Sequence, residues 1–197
     1  MSIFEFVMIP PAIVLGLAMT HVLSGAGRVM HRLAGHGDPV SIDAVHLMWV
    51  AHVFLWMVFF WWYSYAWTTT FEWNLLIFIF LVAYAVAMYL MCVILVPSDM
   101  DRVSDFGTYF LSLRVWFFGG LIALIVIDLA DTAAKGLDHL LDIGLGYATM
   151  RTFLLIGSLA AIRTERRAFH LPFALVSLVW MAAFFWIYRP VIADAGL

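Results

Sequence analysis

An all-α bundle of six transmembrane helices is the fold this sequence predicts, on three observations. Hydrophobic residues make up 65% of the 197 positions and charged residues only 12%, against about 25% charged in a water-soluble domain. Mean hydropathy is +1.02, and the apolar residues fall into six runs, each near the roughly 20 residues a helix needs to cross hydrocarbon. Charge collects between the runs, so residues 1–197 form a single membrane domain.

The first run, 3–23, contains Pro10 and Pro11. A proline removes a backbone donor and clashes with the preceding turn, so this span is expected to kink there or to leave 2–8 as a separate interfacial piece. The first six residues hold Glu5 and neither Lys nor Arg, and no small-residue cleavage site follows, so the helix is expected to be retained rather than removed as a signal. Gly16 and Thr20, four apart, allow another helix to come close. Residues 24–43 read as the longest loop, broken by Gly25, Gly27, Gly35, Gly37 and Pro39 and made basic by Arg28 and Arg32, with a short surface helix around 28–33. Ser41 or Asp43 is placed to cap the next helix.

The second run, 45–67, carries His46, His52 and nine aromatic residues beyond His52. At about 100° per residue, His52, Trp56, Phe59, Tyr63 and Trp67 line one face, while His46 is turned about 120° away. The two histidines therefore cannot serve one ligand. Most of the aromatic mass reads as packing and interfacial anchoring. The connection 68–71 is short enough to make spans two and three antiparallel neighbours. Span three, 72–96, stops at Pro97, and 98–105 is an acidic turn in which Asp99, Asp101 and Asp105 face Arg102. Span four is 106–128, span five 137–162, and span six 170–189, with Pro172 in its first turn, where a missing amide costs little.

Arginines in the loops after spans one, three and five are Arg28, Arg32, Arg102, Arg163, Arg166 and Arg167, whereas the other side has only Lys135 and Arg189. By the positive-inside rule, loops 24–43, 98–105 and 163–169 face the cytoplasm and both termini lie outside, in a cell (inner) membrane.

Arg151 is the costliest residue, since an arginine at the bilayer centre is disfavoured by roughly 2.5–3.5 kcal/mol. Gly144, Ala148, Arg151 and Ser158 share a face, so that face should look into the bundle. Arg114 shares another with Phe118, Leu121, Ile125 and Asp128. With no acid deep in a span, neither arginine has an evident buried carboxylate partner; an interior clasp onto carbonyls, or for Arg114 a lipid headgroup, is the structural alternative to an anion contact. His52 could hydrogen-bond a carbonyl, relay a proton or ligate a heme, but a second deep histidine for a bis-histidine heme is missing. His21, His46 and His170 lie near three helix ends at similar depth and are the weak candidates for metal binding; no motif spacing supports a metal site. Asp128, Asp131, Asp138 and Asp142, with Glu72 nearby, read as a hydrated rim at the outer mouth.

Several classes are excluded. Cys92 is the only cysteine, so there is no disulfide within the chain and no CxxC motif. The only lysine, Lys135, lies in a loop and offers no retinal Schiff base. No helix repeats arginine at every third position, as a voltage sensor does. Gly25 and Gly27 do not complete GxGxxG, and no basic block suggests nucleic acid.

Val14-Leu15-Gly16-Leu17 with Thr20-His21 and Ser24-Gly25, Phe60-Trp61-Trp62, and Arg114-Val115-Trp116-Phe117-Phe118 resemble a group of small bacterial six-helix integral membrane proteins with no assigned activity. The resemblance covers parts of spans one, two and four. It implies the fold and carries no catalytic residue.

The leading expectation is a small channel or transporter, homo-oligomeric, with Arg151, Arg114 and His52 along a path for anions or protons. An accessory subunit of a larger membrane complex is the alternative, supported by 33 aromatic residues, nine of them tryptophan. A heme- or quinone-binding protein centred on His52 is the third. Membrane lipids are the partners common to all three, and no cofactor is firmly implied.

Overall fold

The computed structural model describes residues 2–68, 73–136 and 144–187. Among them are six helices long and apolar enough to cross a membrane and no strands: α1 (Ile3–Leu33), α2 (Ala44–Tyr63), α3 (Leu75–Leu95), α4 (Phe106–Ala134), α5 (Leu145–Arg163) and α6 (Arg167–Ile187). Successive helices run antiparallel. α1 packs on α3, α3 on α4, α4 on α5, α5 on α6 and α6 on α2, while α2 also touches α1, α3 and α4 and so lies most centrally.

The helix starts follow from local chemistry. Ser2 and Glu5 form a reciprocal capping box at the head of α1, Asp43 accepts from the His46 amide at α2, Asn74 from Ile77 at α3, and Asp105 from Gly107 and Thr108 at α4. Each side chain satisfies amides that have no partner within the first turn. Gly144, at φ 75°, precedes α5 in a conformation that suits glycine.

Several boundaries differ from the sequence reading: α3 begins at Leu75 and α5 at Leu145, with 137–143 outside the described residues. α1 continues unbroken through Pro10 and Pro11 to Leu33, so there is no separate interfacial piece, and the loop shrinks to 34–43. The prolines cost the amides that would have reached the Phe6 and Val7 carbonyls, and burial of Val7, Met8 and Pro11 holds the turns on either side. The surface helix expected at 28–33 is the end of α1 itself. Gly25 permits this close approach: a Cβ there would collide with the Val96 side chain. α2 tightens into a 3-10 turn at Ser64–Thr68, α4 runs six residues beyond Asp128, and α6 begins at Arg167 rather than 170. Glu72, Asp138, Asp142 and Arg189, and the stretch 69–72 that joins α2 to α3, lie outside the described residues.

One end of the bundle is knitted together by side chains that bond to backbone. α3 ends before Pro97 without a glycine cap, so its last carbonyls need outside donors. Tyr109 Oη donates to Ile94 O (2.9 Å), His46 Nε2 to Leu95 O (2.7 Å) and His21 Nε2 to Val96 O (2.7 Å). Buried Arg32 then donates to Met100 O at 2.6 Å, Val103 O at 2.8 Å, Asp38 O at 2.9 Å and Pro39 O at 3.2 Å. A single β-bridge, Ser41 to Asp105, joins loop 34–43 to loop 96–105. Arg167 pairs with buried Asp43 and ties the start of α6 to the same end.

Candidate functional site

The other half of the bundle holds a polar centre. Asp128 on α4 lies three turns beyond Phe118 on the face that also buries Leu121 and Ile125, so the helix carries its carboxylate inward. Tyr84 of α3 donates to Asp128 Oδ1 at 2.7 Å and Tyr147 of α5 to Oδ2 at 2.6 Å. Trp56 Nε1 donates to the Tyr84 oxygen at 3.1 Å, and Thr132 shares a hydrogen bond with the Tyr147 hydroxyl at 2.9 Å. One carboxylate thus gathers groups from α2, α3, α4 and α5.

Arg151 completes the centre. Its Nε lies 2.8 Å from Asp128 Oδ2, with side-chain exposures of 9% and 13%. The Nε–H makes no hydrogen bond among the described residues, so this contact is coulombic. The guanidinium covers the Trp56 ring at 4.3 Å and the Tyr147 ring at 5.0 Å, which compensates some of its lost hydration. One turn farther along α4, buried Asp131 accepts from Trp67 Nε1 at 3.0 Å and from Lys135 Nζ at 2.6 Å. The two acids and two bases form a balanced set of charges at this end.

These contacts correct two expectations. Arg151 does have a buried carboxylate partner, and Asp128 and Asp131 are interior pairing groups rather than a hydrated rim; they escape that role because α4 continues through them. Arg114 is also paired, its Nη2 lying 2.7 Å from Glu165 Oε1 at the opposite end of the bundle. It is therefore separate from the centre and bonds protein rather than a lipid headgroup.

His52 is fully buried beside Trp49 and Trp56, at ring distances of 5.3 and 5.9 Å, and within electrostatic reach of Arg151. Among the described residues neither of its ring nitrogens has a hydrogen-bond partner, and the same is true of Arg151 Nη1, Tyr63 Oη and Ser158 Oγ, and, elsewhere, of Trp49 Nε1, Arg114 Nε and His170 Nδ1. Arg151 and Ser158 share a face of α5; His52 and Tyr63 share one of α2. Backbone contact between α2 and α5 is slight among the described residues, and the two helices meet here through the Arg151 guanidinium over the Trp56 ring. Buried polar atoms are nearly always satisfied, so the unsatisfied nitrogens of His52 and Arg151, which flank the Trp56 ring, are open to a polar partner.

Beyond His52 the interior becomes aromatic. Trp49 meets Phe117, Phe118 and Phe173 at 5.2, 5.4 and 5.3 Å, and Phe118 stacks on His170 at 5.7 Å. His170 Nε2 donates to Thr164 O at 2.8 Å. His21, His46 and His170 therefore each hold a different backbone carbonyl and do not converge, and no cluster of metal-ligating side chains occurs among the described residues.

The sequence reading singled out Arg151 and His52 but missed Asp128, Tyr84 and Tyr147. A signal existed: the sequence places Asp128 on the inward face with Phe118, Leu121 and Ile125, but ending span four at 128 assigns it to the rim, whereas the helix continues to Ala134. Comparison with protein-family models, with curated proteins and with solved structures finds no match for this chain.

Proposed function

We propose that this membrane protein conducts or carries protons, by way of the centre formed by Asp128, Arg151 and His52. The observation that carries the reading is the set of unsatisfied buried groups around Arg151 and His52. Ionisable residues inside a membrane are costly and mark transport or relay sites, and a buried ion pair does little for stability compared with well-packed apolar residues. Pairing with Asp128 removes the uncompensated positive charge that would favour anions. A proton needs only hydroxyl, imidazole and carboxyl groups in sequence, and tyrosine hydroxyls and histidine serve as both donor and acceptor.

The path would run from Asp131 through Tyr147 and Asp128 to His52, with Lys135 and Arg151 as fixed positive charges beside it. Trp49 and Phe118 would separate it from His170 and the opposite mouth, as an aromatic gate. Arg114, paired beside that mouth, would lie off the path. The basic end, with Arg28, Arg32, Arg102, Arg163, Arg166 and Arg167, would face the cytoplasm. The test is proton flux into vesicles loaded with a pH-sensitive dye. Wild type should exceed protein-free vesicles at least tenfold and His52→Phe should return flux to background; wild-type flux at background rejects the reading.

A second reading, a subunit of a larger membrane assembly, is favoured by Trp116. This indole is 73% exposed about 15 Å along α4, away from the headgroup level that tryptophan prefers. Extraction from native membranes in mild detergent decides it, since elution of the chain alone removes the idea.

A further inference from the structure

A groove of about 700 Å³ runs along the outer surface between α5 and α6. Its walls are almost wholly apolar, with Ala148, Thr152, Ile156 and Ala160 on one side and Phe169 and Phe173 on the other. From Ala148 to Ala160 it extends about 18 Å, more than the roughly 15 Å of one leaflet's hydrocarbon. Two arginines stand at its basic end. Arg163 follows Thr152, Ile156 and Ala160 at helical spacing at the end of α5, and Arg166 lies in the connection 164–166 that joins the two helices at that end.

The charges around them are already assigned. Glu165 is taken by Arg114, and Arg167 by Asp43. Arg163 donates one bond to the Leu159 carbonyl at 2.8 Å, and neither Arg163 nor Arg166 has an acidic partner among the described residues. An acyl-length apolar trough with two exposed guanidinium groups beside its end, neither paired with an acid among the described residues, matches one ligand chemistry. We infer that the groove between α5 and α6 is a binding site for an anionic phospholipid, its chain along the trough and its phosphate between Arg163 and Arg166.

Intact protein, delipidated in detergent, is titrated with phosphatidylglycerol and with phosphatidylcholine, and bound lipid is counted by native mass spectrometry. Phosphatidylglycerol should bind more tightly. Arg163→Gln with Arg166→Gln should weaken it about thirtyfold, at about fivefold per arginine, without changing the melting temperature, because both side chains are exposed. Ala160→Phe, which fills the trough, should weaken both lipids. Arg102→Gln, which alters a basic residue away from the groove, should change nothing. Equal affinity for the two lipids, an unchanged double variant, or undiminished binding to Ala160→Phe would each overturn the site. So would a lipid-independent dimer that Ala160→Phe dissociates, since the groove would then hold a second copy of the chain.

Discussion

Asp128→Leu should be among the most damaging single substitutions in this protein. It leaves Arg151 charged and buried at 9% side-chain exposure and strips the acceptor from the hydroxyls of Tyr84 and Tyr147. Breaking a buried pair by removing one partner costs about 3–5 kcal/mol. The two hydroxyls add less, since polar contacts within membranes average about 0.6 kcal/mol. Arg151→Met should cost about 3 kcal/mol, because Asp128 keeps its two tyrosine donors. Arg151→Met combined with Asp128→Leu removes both charges and leaves only the hydroxyls wanting, so it should cost about 1–2 kcal/mol. The double-mutant cycle then yields a coupling of about 4 kcal/mol or more. Reversible unfolding in mixed micelles, followed by tryptophan fluorescence, measures all four corners. A coupling below about 1 kcal/mol would refute the buried pair.

Other substitutions probe other joints. Gly157→Ala places a methyl group in the Phe173 ring and should cost about 1–3 kcal/mol by overpacking, read by the same unfolding assay. Arg32→Ala removes four bonds to the carbonyls of two loops; a loss of about 3 kcal/mol and faster hydrogen exchange across 96–105 are expected, and unchanged exchange would contradict the clamp. The Asp105 carboxylate is held below the usual aspartate range by the Thr108 hydroxyl first, then by the Thr108 and Gly107 amides. A lowered folded value means that its capping contribution is present above the unfolded value and lost as pH falls through the folded one. Acid below about pH 4 should therefore loosen the start of α4, and Asp105→Ala should abolish that pH dependence in NMR shifts of Gly107 and Thr108.

Hydropathy made six helices legible because lipid leaves the backbone few alternatives, and caps such as Asp43 could be read from residue type. Helix ends were less legible. The acids at 128 and 131 read as a boundary because a charge usually ends an apolar run, yet each finds its opposite on another turn or helix, and α4 continues. The glycines at 25 and 27 read as loop breakers, whereas Gly25 is small because Val96 lies against it. Arg151 and His52 stood out by cost and depth. Their surroundings did not, since Tyr84 and Tyr147 look like ordinary membrane tyrosines until the helices are packed and a shared carboxylate appears between them.

Proton flux through the Arg151→Met, Asp128→Leu double variant separates a working pair from a structural one most directly. The exchange should leave the bundle folded while removing the ionisable core of the path. A folded variant with flux at the protein-free background is the expected result, and a folded variant that still conducts at the wild-type rate would contradict a role for this centre in moving protons.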